Sequence, residues 1–156
     1  MRRILAISVL LTFFCLGTAV AAESEENAED FMNMHNIEIK FHQAGSTHDL
    51  DLMLSLFADD ATLTAKGKTY TGKDQIKAFW QAAPQFQPQT HWVAYTPAFR
   101  IKFEVQGDKA HLHFECLWMD AVAKTIAAHT NADDTLARVN GRWFIKDMKA
   151  GAVPEL

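Results

Sequence analysis

An α+β fold, with helices first and a curved antiparallel sheet after them, is predicted by two features of this chain. Apolar residues recur at spacings of three and four before residue 84 and at every second position from about residue 99 onward. Tight polar turns, Gly107-Asp108-Lys109 and Asn140-Gly141, then join the later segments as hairpins.

The elements follow in order. Phe31, Met34, Ile37, Phe41 and Ala44 form one stripe of a first helix that the pattern ends near Gly45. Ser46-Thr47-His48 reads as a turn, and residues 49–58 as a second helix with Leu50, Met53, Leu54 and Phe57 on its core face. Asp59-Asp60 breaks it, residues 61–64 alternate as a short strand, and Lys66-Gly67-Lys68 turns the chain. A third helix over residues 73–83 places Ile76, Phe79 and Trp80 on one face, and Pro84 ends it. Strands are expected at 90–96, 99–106, 110–119, 127–139 and 142–149.

The N-terminus has a different logic. Met1-Arg2-Arg3, an apolar run from Ile4 to Leu16 and small residues at Ala19 and Ala21 are the three parts of a secretory signal segment. The run is shorter than the about 20 apolar residues a spanning helix needs, so cleavage after Ala21 is expected, with no stable membrane anchor afterwards. The organisation expected is a signal segment at 1–21, an acidic leader at 22–30, one domain at 31–150 and a C-terminal tail at 151–156. Periplasmic or extracellular location follows.

Removing residues 1–21 leaves 13 of the 15 basic side chains against 19 acidic ones, a net charge of −6. Nucleic-acid binders carry basic patches or stripes, so no nucleic acid is expected as partner. Cys15 leaves with the signal segment, and the remaining Cys116 has no internal disulfide partner. It alternates with Leu112, Phe114 and Trp118 and reads as a buried small hydrophobe.

The run Leu56-Phe57-Ala58-Asp59-Asp60-Ala61-Thr62-Leu63, followed by Tyr70-Thr71-Gly72-Lys73-Asp74-Gln75-Ile76 and the closing Val139-Asn140-Gly141-Arg142-Trp143 hairpin, resembles the nuclear transport factor 2-like (cystatin-like) superfamily. Its SnoaL-like and ketosteroid-isomerase-like domains are the nearest in look. The resemblance implies a cone-shaped fold, three N-terminal helices packed on a strongly curved antiparallel sheet around a pocket. It is almost silent on function, because such folds host many activities. It places Ala65, Phe41 and Cys116 where the isomerases carry a basic aspartate, an oxyanion tyrosine and a protonated aspartate. A methyl group cannot abstract a proton, nor can a phenyl ring donate a hydrogen bond, so isomerase chemistry of that kind is not expected.

What remains is an aromatic-rich interior. Phe41, Phe79, Trp80, Trp92, Phe103, Cys116 and Trp118 are the expected lining of a site for a small apolar molecule. Tyr70, His91 and Asp147 are the polar candidates, Asp147 because it shares strand parity with Trp143 and Ile145. The second reading is a lyase or isomerase using His91 with Tyr70 or Asp147, since imidazole shuttles protons near neutral pH. His111, His113 and Glu115 alternate away from the apolar face and form, with Lys102, Glu104 and Leu117, an outer row expected to mediate a homodimer. One strand does not close a metal site, so no metal and no cofactor are expected. His35, His42, His48 and His129 show no pattern of their own.

Overall fold

The computed structural model describes residues 16–94 and 99–153. The basic start and nearly all of the apolar run of the expected signal segment, Cys15, the end of the strand expected at 90–96 and the last three residues of the expected tail lie outside them. The chain forms two compact units, Met1–Met32 and Asn33–Leu156. Helix α1 (Leu16–Thr47) supplies the described part of the first unit, and its residues 33–47 belong to the second. No helix among the described residues is long and apolar enough to cross a membrane.

In the second unit α1 runs on past the expected stop at Gly45 as far as Thr47. Gly45 is present because the helix backbone passes against an indole. A Cβ built on it meets Trp118 at 2.4 Å, so the residue admits a close approach and does not cap the helix. Helix α2 (Leu50–Ser55) starts at Asp49, whose carboxylate accepts the Leu52 N–H at 2.8 Å. It ends before residue 58 because Phe57 already belongs to strand β1 (Phe57–Ala65). Asp59 and Asp60, expected to break the helix, are exposed strand residues paired with Lys73 and Lys146.

Strand β2 (Lys68–Thr71) folds back on β1 and leads into α3 (Gly72–Ala82). Gly72 takes φ +75°, a region that costs residues with a Cβ, and Gln75 accepts the Thr71 N–H at 3.1 Å. After a 3₁₀ turn (Pro84–Phe86) come β3 (Trp92–Ala94), β4 (Phe99–Gln106), β5 (Lys109–Asp120), β6 (Thr125–Val139) and β7 (Arg142–Ala152). Asn140 and Gly141 both have positive φ, 51° and 75°, the geometry of a type I′ hairpin turn.

The sheet is mixed, in the order β2-β1-β7-β6-β5-β3, with β4 also on β5. Strand β1 runs parallel to β7, and every other pairing is antiparallel. The sheet is not strongly curled and does not close, which corrects the expected strongly curved antiparallel cone. Closure requires the terminal strands to meet. Here β2 and β3 stay at opposite ends of the strand order, while β5, β6 and β7 pair along most of their lengths. One face of the sheet carries the core, with Leu63, Leu112, Phe114, Trp118, Leu136, Ile145 and Met148 at 2% exposure or less. Phe41 of α1 lies on it, its ring 5.3 Å from Phe114 and 5.5 Å from Trp80 of α3.

Candidate functional site

The inward stripe of α1 is wider than its apolar residues. Positions 34, 37, 38, 41, 42 and 45 follow the spacing of a helical face, and all six are buried. Two of them are polar. Glu38 is fully buried, His42 is 4% exposed, and His42 Nδ1 lies 2.6 Å from Glu38 Oε1. The imidazole is packed among rings, 5.5 Å from Phe114 and 5.9 Å from Trp118 between centroids. His42 Nε2 and the indole Nε1 of Trp80 are buried with no hydrogen-bond partner among the described residues. Trp118 Nε1 donates to Thr130 Oγ1 at 3.1 Å. Cys116 lies between Phe114 and Trp118 on the same face; burial first, and the Glu38 charge second, push its thiol up to about 12, so it is inert as a nucleophile.

The expected lining residues divide. Phe41, Trp80, Cys116 and Trp118 are buried; the rings of Phe41 and Trp118 lie 5.6 and 5.9 Å from that of His42, and Trp80 packs on Phe41. Phe79 packs half-buried between Trp80 and Tyr70, with centroids at 4.9 and 5.0 Å. Trp92 is half-buried on β3, opposite Asp120, and Phe103 is half-buried on β4, opposite Leu112. Ala65 is buried near the end of β1. Two surface clefts stand apart from this interior. One of about 230 Å³ is lined by residues of β4, β5 and β6, including Lys102, His111 and Asp133. The other, of about 490 Å³, surrounds the start of α3 between Asp59 and Gln75.

The polar candidates are not brought together. His91 is exposed and precedes β3, while Tyr70 lies on β2 at the other end of the strand order. Tyr70 pairs with Leu63 and Leu63 with Met148, which puts its ring on the core side, where Lys68 Nζ sits 4.8 Å from its centroid. Asp147 is turned the other way. A register shift between Thr135 and Leu136 breaks the parity that Asp147 was expected to share with Ile145, and Asp147 accepts the Thr62 hydroxyl.

Asp134, unremarked in the sequence, takes an inward place on β6 between Ala132 and Leu136. It is 1% exposed and neither carboxyl oxygen has a partner among the described residues. Burial first, then the charges of Asp133 and Asp147, push its pKa well above the usual carboxylate range. Its neighbours Asn131, Asp133 and Thr135 are all polar, so alternation alone reveals no face there; pairing with Leu112 and Met148 does.

The outer row is a bonded network. Arg100 Nη1 lies 3.2 and 3.3 Å from the two Glu115 oxygens, His129 Nε2 lies 2.9 Å from one of them, and His113 Nδ1 is 2.6 Å from Asp133. Burial raises the Glu115 pKa, but hydrogen bonds from His129 and Arg100 outweigh it and hold the carboxyl below its ordinary value. Among the described residues no group of three or more histidine, cysteine, aspartate or glutamate side chains is arranged to hold a metal ion.

With this geometry in place, comparison with known proteins assigns the family. The profile of the SnoaL-like domain matches residues 27–149. The chain belongs to the SnoaL-like domain family. No curated protein matches it. Among solved structures, this SnoaL-like chain is similar to a protein of unknown function with a cystatin-like fold from Nostoc punctiforme (16% identity, 83% of this chain and 95% of that one, TM-score 0.72). It is also similar to a nuclear transport factor 2-like protein from Novosphingobium aromaticivorans (15% identity, 92% and 94%, TM-score 0.76). A candidate scytalone dehydratase from the same organism aligns as well (14% identity, 84% and 89%, TM-score 0.70). At these identities the likeness concerns the fold alone.

The pair that sequence reasoning passed over, Glu38 and His42, carried a readable signal. Both sit four residues apart, inside the stripe formed by Met34, Ile37 and Phe41. An acid and a base on the apolar face of a helix are costly to bury unless they meet each other.

Proposed function

We propose that this SnoaL-like chain binds a small, largely apolar molecule bearing a polar group, in the interior formed by α1, α3 and β5, and that it does so outside the cytoplasm. One observation carries the binding reading: His42 Nε2 and Trp80 Nε1 are buried among aromatic rings without partners among the described residues. Leaving a buried donor or acceptor unsatisfied costs about 1–3 kcal/mol, which a ligand's polar group recovers. The basic start, apolar run and small residues of positions 1–21 support export.

Thermal unfolding against steroids, polyketide-like aromatics and short lipids tests the binding. A ligand at one hundred times its Kd stabilises the native state by about 2.7 kcal/mol, a shift on the order of 5–10 °C for a chain of this size. No shift with any of the three classes removes the reading.

A lyase or isomerase is the second reading, and the Glu38–His42 pair is what favours it. The histidine able to exchange protons inside the domain is His42, held by a carboxylate at 2.6 Å, whereas His91 is exposed. Turnover of any candidate substrate that survives His42→Ala excludes this chemistry.

A further inference from the structure

We infer that the uncovered edge of β6 is a docking strand and that its occupant is a segment of the same chain, Pro154-Glu155-Leu156. Strand β6 outruns β7. Their pairing ends at Thr130 opposite Ala152, while on its other side β6 stays paired with β5 as far as Thr125 opposite Asp120. Residues 125–128 are therefore paired on one side alone among the described residues. That edge is apolar and unguarded: Ile126 is 65% exposed, Val122 in the adjoining turn is 68% exposed, and residues 125–128 include no charge and no proline. Sheets ordinarily blunt such an edge or cover it. The register shift opposite Trp118 and Met119 makes Ala127 the extra residue of a bulge, which bends this edge and leaves Ile126 exposed on it.

Direction, reach and composition name the occupant. The Val153 N–H donates to the His129 carbonyl at 3.0 Å, so the chain still follows β6 where its described residues end. Three more extended residues add about 10 Å, enough to pass Ala128 and reach Ile126. In an antiparallel ladder bonded and non-bonded pairs alternate. Val153 and His129 bond each other, so Pro154 falls opposite Ala128 in a non-bonded pair, where a proline's missing N–H is not needed. Glu155 follows in a bonding position, and its negative charge comes to the end of the edge that carries the exposed Lys124. Leu156 then supplies an apolar side chain beside the exposed Ile126.

Hydrogen exchange of the amides of residues 125–128, followed by mass spectrometry at several protein concentrations, tests this in the full chain and in a chain ending at Val153. The expected result is that at least one of these amides exchanges about tenfold more slowly in the full chain, at every concentration. Pro154→Ala is expected to leave that protection unchanged, because its N–H points away from β6. Glu155→Pro is expected to abolish it, because it removes the N–H that bonds the edge. Equal exchange in the full and shortened chains overturns the inference. Protection that disappears on dilution overturns it too, and assigns the edge to a second copy of the chain. Should the shortened chain fail to fold by circular dichroism, the contrast between Pro154→Ala and Glu155→Pro decides: equal exchange in those two variants refutes the docking.

Discussion

Asp134 is a carboxyl among Leu112, Met148, Ala132 and Leu136, and its oxygens, without partners among the described residues, make it costly to ionise. Burial first, then Asp133 and Asp147, raise its folded pKa above the unfolded value of about 3.9. The folded state therefore holds a proton that the unfolded state gives up. Its contribution is fully present below the unfolded pKa and is lost as pH rises through the folded one, with a slope of up to about 1.4 kcal/mol per pH unit. Asp134→Asn keeps the shape without the charge. Urea unfolding is expected to show it more stable than the parent at pH 7, with the gap closing toward pH 4; parallel curves across that range would refute the account. Glu115 works with the opposite sign. Its pKa is held below the ordinary value by His129 and Arg100 against the pull of burial, so its contribution is present above the carboxylate range and lost on acidification.

At the level of elements, α1 and β5 are locked by one close approach. Replacing a helical glycine with alanine ordinarily stabilises by about 1 kcal/mol. At Gly45 a methyl group would meet the Trp118 ring at 2.4 Å. That ring cannot yield, because it is 1% exposed and its Nε1 is tied to Thr130. Overpacking of this kind costs about 1–3 kcal/mol, so Gly45→Ala is expected to lower the urea midpoint despite its better helix propensity. A raised midpoint would show that the helix and strand slide apart freely.

For the molecule as a whole, location and assembly are the open proposals. Protein recovered from the periplasm or medium is expected to begin at Ala22 on N-terminal sequencing; an intact Met1 in all of it would remove the export reading. We also propose a homodimer through the outer sheet face. Within that row Glu115 is already engaged by Arg100 and His129 of its own chain. The exposed Lys102 and Glu104 are then the charges available to a second copy, and a two-fold axis sets each against its opposite. Sedimentation should show a concentration-dependent dimer that Lys102→Glu weakens, since it places like charges together. A single species of monomer mass at tens of micromolar refutes this.

Local chemistry made much of this protein readable before its structure. The three- and four-residue spacing through Met34, Ile37 and Phe41 marked a helix, alternation marked β4 to β7, and Asn140-Gly141 marked a turn, because each depends on neighbours a few positions away. The same motifs carried the family. Tertiary structure decided the rest. The parallel pairing of β1 with β7 joins residues some 85 positions apart, and no hairpin dictates its direction. The register shift that turns Asp147 outward exists only once β6 lies against β7. Burial of Glu38, His42 and Asp134 depends on what covers them, since a polar side chain in an apolar face becomes a paired or orphaned group only when helix and sheet pack against each other.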